Sequence, residues 1–469
     1  MGSNARAGSP LSELTLLLKA RQHAFPPADW THTESAVHPD RVFKDIAGRP
    51  YPVYLWGHAG HERGRYSIVT HSPFAVVQPC PEGTLVTMGA RSLRLPGDGA
   101  ALCLRLVAEC AGEDTGQPFR GGAIGYVTYE HSLDYLGLKA RHAEGPLPAY
   151  HFALYDHAYV YDHLEERGLQ TGGMPAGPGE RVAHKPLPAR LGTWTSSVSE
   201  AEYMRHIAQI LAHIEAGDIY QANYTARFSA PGRADRVDLA LLLKARNPAP
   251  MGACLHYPFG TIWSSSPERL ISGQWHGRLE SVPIKGTRGR ESNPEADTRQ
   301  VAQLLNDPKE RAELLMIVDL VRNDLGRTAT LGSVTVDELY RVRSYANVHH
   351  LEATVSAQMS EQATWDAVLK ALLPGGSITG APKHRAARIL QELEPVPRSV
   401  YTGALGYVSF EGHADFSIPI RTLYHDGTHF HLHSGGGIVA DSDPTREYEE
   451  LQLKVANIRA ILEEACRST

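Results

Sequence analysis

Residues 416–450 read FSIPIRTLYHDGTHFHLHSGGGIVADSDPTREYEE. Two strand-like runs flank the turn signal HDGT at 425–428, and three glycines, Gly435, Gly436 and Gly437, close the second run. A helix-like segment, TREYEELQLKVANIRAILEEA (445–465), follows at once. An Asp-Gly pair between β-rich runs signals an antiparallel hairpin. Hairpins alternating with separate helices predict an α+β fold with largely antiparallel sheet.

The same grammar extends outward. RLISGQW (269–275) and ALGYVSFEG (404–412) read as strands; residues 296–324 and TWDAVLKALL (364–373) read as helices. Upstream, YPVYLWG (51–57), RYSIVTH (65–71), FAVVQP (74–79), GGAIGYVTYE (121–130) and HFALYDHAYVYD (151–162) are short β-rich runs bounded by Gly or Pro. Residues 169–190 are rich in Gly and Pro and mark a linker. They divide the chain into an N-terminal region 1–170, a linker 171–198 and a catalytic region 199–466. Ser199 and Glu202 fit a capping box opening a helix. Tyr203, Ile207, Ile210, Leu211 and Ile214 give its apolar face and Gly217 its stop.

The chain has 469 residues, 42% apolar and 21% charged, with net charge −6. That suits a soluble globular protein and argues against a nucleic-acid binder. No apolar run reaches membrane-spanning length, and the N-terminal MGSNARAGSPLSEL has no h-region, so a cytoplasmic protein is expected. Its five cysteines are scattered and lack metal-ligand spacing, as reduced thiols would be. The 24 histidines are dispersed, with no HExxH pair.

Four segments carry chemistry. On the last helix Glu447, Glu450 and Lys454 share one face beneath the three glycines, which are costly in a strand unless a backbone or ligand comes close. Glu313 lies on an apolar stripe with Met316, Ile317 and Leu320, so it must be paired, protonated or metal-bound. Arg322 and Arg327 are candidate partners, and a pair of Glu residues from two helices would suit Mg²⁺. PGGSITGAPKHRAARIL (374–390) places Pro382 in the first turn of a helix, capped by Thr379–Gly380, a ready anion site. SSPERL (265–270) and SVPIKGTRGR (281–290) supply Glu268 and Lys285 as an acid and a nucleophile. Arg288 and Arg290 would act electrostatically on Lys285. Each segment alone also reads as an ordinary turn or solvated face.

Taken in order, SPERL, PIKGT, ELLMIVDLVRNDLGR, VHHLEATV, GSITGAPK, YTGALGY, IPIRTL and GGGIVADSDPTREYEE resemble the chorismate-utilising enzymes. That family holds anthranilate, isochorismate, salicylate and aminodeoxychorismate synthases. The resemblance covers about 200–465 strongly; GGAIGYVTYE extends it more loosely into the N-terminal region. It implies that Glu313 and Glu450 bind Mg²⁺ and that the metal holds the C1 carboxylate of chorismate. Gly435, Gly436, Gly437, Lys454, Thr379 and Gly380 would line the same anion site. Tyr401 and Arg421 would grip the enolpyruvyl carboxylate, and His350 is the family's active-site histidine.

Two positions choose a branch. Gln221, in GDIYQANYT, stands where the water-adding synthases resemble one another in having a lysine base. Lys285, in PIKGT, stands where anthranilate synthases have Ala, and resembles the covalent catalyst of the aminodeoxychorismate branch. The implied activity is amination of chorismate at C4, with Lys285 attacking C2 and Glu268 protonating the departing hydroxyl. No glutamine amidotransferase setting surrounds the cysteines and no pyridoxal-phosphate lyase region follows. Ammonia is therefore expected from a separate glutaminase subunit, in a heterodimer. The alternative is anthranilate synthase component I; a catalytically dead scaffold is disfavoured by the intact residue set. The pattern departs from the family at Glu352–Ala353, where Val-Ser is common. LWGHAGHERGRYS (55–67) lacks the serine by which many relatives hold tryptophan.

Overall fold

The computed structural model describes residues 15, 31–32 and 37–467, apart from 59–61, 110–111, 113, 115, 143–144, 172–188 and 346. The N-terminal stretch 1–14, most of the Gly/Pro linker and Cys110 therefore lie outside the described residues. Among the described residues, two sheets of 13 and 12 strands carry the chain, and every paired strand runs antiparallel to its neighbour. Both draw strands from before residue 171 and after residue 198. In the first, Val53–Trp56 pairs with Met251–Tyr257; in the second, Gly122–Val127 pairs with Ala404–Ser409.

Side-chain alternation sorts these strands into layers. Ile124 and Tyr126 point into a cluster with Val53, Leu255, Tyr257 and Leu405, which is the interface of the two sheets. Ala123 and Val127 point the other way, into a core with Leu104, Leu314, Ile317 and Trp365 from the helices that cover the second sheet. Tyr54 and Trp56 likewise point away from the interface, with Phe43, Tyr203, Ile207 and Val455 from helices on the outer face of the first sheet. The result is helix, sheet, sheet, helix. Strands covered on both faces explain why GGAIGYV and HFALYDHAYVYD are almost uninterrupted apolar runs.

The local signals hold in particular places. Glu200–Glu215 opens with the Ser199–Glu202 capping box and buries Tyr203, Ile207 and Ile210; Gly217 follows its end at φ +79°. In the HDGT turn Asp426 Oδ1 accepts from the amides of Thr428 and His429, and Gly427 takes φ +96°. One expectation fails. The helix Lys383–Leu393 begins with Pro382 at its N-cap and has no side-chain cap. Thr379–Gly380 does not cap it, because Gly380–Ala381 pairs as a short strand with Gln221–Ala222.

Candidate active site

A cavity of about 590 Å³ opens where the ends of both sheets meet two helices. Its floor is the strand that pairs antiparallel with Gln221–Arg233. There Gly435, Gly436 and Gly437 lie opposite Thr225, Tyr224 and Asn223 in strand His429–Ile438. A Cβ on Gly435 would stand 2.3 Å from the carbonyl oxygen of Tyr224, so only glycine allows this strand approach. A Cβ on Gly437 would meet Gln221 Nε2 at 2.7 Å and Lys285 Nζ at 3.1 Å, so both side chains converge on that bare backbone.

Lys285 and His350 sit on neighbouring strands of the second sheet, Ile284–Gly289 and Val348–Gln358; Lys285 is registered with Leu351 and Thr287 with His350. Thr287 Oγ1 lies 2.9 Å from His350 Nδ1. Burial, reinforced by the charge of Arg421, holds His350 down to about 3, so its ring is neutral. Its Nε2 is buried without a partner. Arg421, at φ +50°, lines the cavity, and no carboxylate pairs with it among the described residues. Tyr401 lines it too, its phenol pushed up by burial and so a neutral donor.

Glu268 lies just before strand Arg269–Gln274, 4% exposed, and accepts a 2.7 Å bond from Ser377 Oγ. Burial pushes it up to about 7 against the opposing pull of Ser377 and Lys285. It is therefore partly protonated near neutrality, as a proton donor must be.

Two helices bring carboxylates. Pro308–Gly326 carries Glu310 and Glu313 one turn apart; Pro444–Arg467 carries Glu447 and Glu450 likewise, and all four line the cavity. Glu313 is paired neither with Arg322, which binds Asp319, nor with Arg327; it stands 3.4 Å from Lys285 Nζ. Glu450 is 2.6 Å from Lys454 Nζ, which also donates to the carbonyl of Gly435 at 3.0 Å. Burial and then the charge of Glu313 push Glu310 up. Burial pushes Glu447 up, Ser442 opposes, and Glu450 adds to the rise. Burial acts the same way on Glu450, but Lys454, Lys309 and Lys285 hold it below its ordinary value.

Two mutually repelling carboxylate pairs facing one cavity fit a cation. Among the described residues no group of three or more His, Cys, Asp or Glu is close enough to hold one alone. Mg²⁺ suits such a site, since it takes one or two carboxylates and completes its shell with water and substrate oxygens.

Gln221 is fully buried beside the cavity, with neither amide atom partnered, and the Thr379 hydroxyl is also buried without a partner. Arg288 and Arg290 do not serve Lys285 as expected: Arg288 pairs with Asp307 and Glu310, and Arg290 with Asp297. Sequence reasoning missed Ser377, Thr287 and Glu310. Only Glu310 left a usable signal, three residues before Glu313 and hence on the same helix face.

The profile of the chorismate binding enzyme family matches residues 91–460. The chain belongs to the chorismate-binding enzyme family. It is an enzyme that converts chorismate. Aminodeoxychorismate synthase component 1 of Klebsiella aerogenes is 38% identical over 90% of this chain and 96% of its own length. Anthranilate synthase component 1 of Streptomyces coelicolor is 34% identical over 92% of this chain and 88% of its own. The crystal structure of anthranilate synthase component I from Streptococcus pneumoniae superposes with TM-score 0.71 at 27% identity, covering 86% of this chain and 94% of that one. The chorismate-binding fold is thus an α+β one, with large antiparallel sheets packed against helices.

Proposed function

We propose that this enzyme aminates chorismate at C4, giving 4-amino-4-deoxychorismate on the way to para-aminobenzoate and folate. The observation that carries the reading is Lys285, an amine on the cavity wall, sharing that cavity with the protonatable acid Glu268. In the first displacement the lone pair of the Lys285 amine bonds to C2. The ring double bonds shift toward C4, and the 4-hydroxyl leaves as water with the proton of Glu268. The Lys285 nitrogen sheds a proton. In the second, ammonia bonds to C4, the double bonds shift back, and Lys285 departs from C2 with a proton. Two allylic displacements replace one direct exchange.

The other residues in and beside the cavity orient the substrate. Arg421 and Tyr401 hold the enolpyruvyl carboxylate, a role suited to an unpaired guanidinium and a neutral phenol. The backbone of Gly435, Gly436 and Gly437, with Lys454, Thr379 and Gly380, receives the C1 carboxylate. Glu313 and Glu450 would hold Mg²⁺, which would supply positive charge against that carboxylate. His350, kept neutral, donates or accepts a hydrogen bond without adding charge. Gln221 offers its unpartnered amide to the substrate but cannot deprotonate water, so hydration at C2 is not supported.

Ammonia comes from a separate glutamine amidotransferase subunit in a heterodimer; relatives named component 1 support that arrangement. A cytoplasmic setting is supported by free thiols at Cys80, Cys103, Cys254 and Cys466. No helix among the described residues is long and apolar enough to cross a membrane.

Anthranilate synthesis is the competing reading, because relatives of that name are also similar. The test is incubation with chorismate, Mg²⁺ and ammonium, with the product identified by mass and NMR. 4-Amino-4-deoxychorismate is expected; anthranilate with pyruvate would overturn the assignment. Glutamine in place of ammonium should give product only once a glutaminase subunit is added.

A further inference from the structure

Behind the cavity lies a fully buried arginine that no step above uses. Arg398 is 1% exposed, and its guanidinium makes five hydrogen bonds. Nε and Nη2 clasp the two oxygens of Glu394 at 2.8 and 2.7 Å. Nη1 donates to the carbonyl of Ile378 at 2.9 Å and to Thr402 Oγ1 at 3.3 Å, and Nη2 to the carbonyl of Asn223 at 2.7 Å. Its remaining face rests on the ring of Tyr129, 4.2 Å from the centroid. A guanidinium has five N–H donors in a fixed fork, so every one of them is spent here.

The acceptors are not scattered. Asn223 and Ile378 line the cavity; Thr379 follows Ile378, and Thr402 follows Tyr401. Three separate chain segments, one of them 175 residues away, therefore meet on one side chain. Glu394 extends the clasp, accepting from the amide and hydroxyl of Thr225 at 3.1 and 2.9 Å. From the N-terminal region Glu130, the last residue of the GGAIGYVTYE run, accepts from the amides of Arg398 and Ser399 at 2.6 and 2.9 Å. The backbone it grips is strained: Ser399 and Thr402, flanking Val400 and Tyr401, take φ +57° and +62°. Non-glycine residues persist in that region only where their surroundings over-determine them.

We infer that Arg398, locked by Glu394 and Glu130, is a positioning residue. It holds Tyr401, the Ile378–Thr379 turn and Asn223 in the arrangement that receives the substrate's carboxylates. It touches no substrate and acts through those three segments. The substrate part of this inference rests on the proposed chorismate site; the clamp itself does not. Lysine at 398 would keep the charge and one contact to Glu394 but could not bridge acceptors on three segments. Glutamine at 130 keeps one acceptor and turns a donor toward the second amide, loosening the Arg398–Ser399 backbone and, through it, the guanidinium clasp.

The test compares Arg398→Lys, Glu130→Gln and wild type in the intact chain. Without substrate, hydrogen–deuterium exchange should rise in 222–225, 377–381 and 399–403 in both variants, and stay unchanged in Val53–Trp56 and Met251–Tyr257. With chorismate and Mg²⁺, KM should rise about tenfold or more while kcat changes less, since uniform binding is what is lost. Should Arg398→Lys fail to fold, Glu130→Gln carries the test. Unchanged exchange in the three segments overturns the clamp. A lowered melting temperature with wild-type KM reduces Arg398 to a structural role and overturns positioning. Wild-type protein that ignores chorismate sinks the proposed function instead, and the exchange measurement still decides the clamp.

Discussion

Lys285 Nζ lies 3.4 Å from Oε2 of Glu313. The proposed nucleophile and the proposed metal thus share one carboxylate, so Glu313 would answer to a lysine and to a cation at once. Glu450 is in the same position with Lys454 at 2.6 Å. Glu313→Gln and Glu450→Gln should each abolish turnover across the Mg²⁺ range while leaving the melting temperature within a few degrees. Both side chains sit at a cavity wall rather than in the apolar core. Near-normal activity of either variant at limiting Mg²⁺ would show that the metal is held elsewhere.

Lys285→Ala removes the proposed covalent catalyst. The expected loss in kcat is on the order of 10³-fold or more, about 4 kcal/mol of barrier at ~1.4 kcal/mol per tenfold. The vacated space lies beside C2, so slow amination there is the expected residual activity. Wild-type enzyme quenched with chorismate and Mg²⁺, but without ammonia, should carry chorismate minus water on the peptide holding Lys285. Full-rate synthesis by Lys285→Ala would eliminate the covalent route.

The α+β class was legible because its signals are local: β-rich runs bounded by Gly or Pro, the HDGT turn, the Ser199–Glu202 box. The layering was not. Gly122–Val127 lies beside Ala404–Ser409, almost 280 residues away, and nothing short-range in either run names the other. The same limit governs the site. Glu268, Lys285, Glu313 and Glu450 stood out as residue types that chemistry needs, but their partners are remote. Ser377 meets Glu268 over 109 residues of chain. Glu352, which departs from the family pattern, makes sense only in three dimensions: it is fully buried and held by Arg63 and Arg343 at 2.9 and 3.0 Å. A buried carboxylate needs such partners. Thr379–Gly380 misled because a Gly-Ala-Pro stretch before a helix resembles a cap, whereas here Gly380 is used for sheet pairing with Ala222.

The pH profile should carry the signature of Glu268. Its ordinary value of 4.5 is raised by burial to about 7. The protonated form is the donor, so activity is retained below that value and lost above it. The descending limb of kcat/KM should therefore fall near pH 7, tenfold per unit, and disappear in Glu268→Gln along with most of the rate. The same shift makes Glu268 favour folding at low pH, a contribution lost as pH rises through 4.5 to about 7. A rate that rises through pH 7 with no descending limb would make Glu268 a base and not an acid.

The three glycines should separate by what each Cβ would strike. On Gly435 it would stand 2.3 Å from the Tyr224 carbonyl oxygen and 2.8 Å from Thr225 Cγ2. That is the partner strand itself, so relief requires moving the ladder between His429–Ile438 and Gln221–Arg233. Gly435→Ala should destabilise by roughly 1–3 kcal/mol, the usual cost of overpacking. On Gly436 a Cβ would meet only Glu447 Oε2, at 2.9 Å, the end of a side chain that can move. Gly436→Ala should fold normally and chiefly raise the Mg²⁺ requirement, because Glu447 stands one turn from Glu450. On Gly437 it would press on Gln221 Nε2 and Lys285 Nζ, again side-chain ends and again without a backbone clash. Gly437→Ala should keep its melting temperature yet lose kcat, because the lysine is displaced from where C2 must come. Differential scanning fluorimetry and steady-state kinetics on the three variants read this order. A Gly435→Ala protein as stable as wild type, or a Gly437→Ala protein with wild-type kcat, would contradict the cradle.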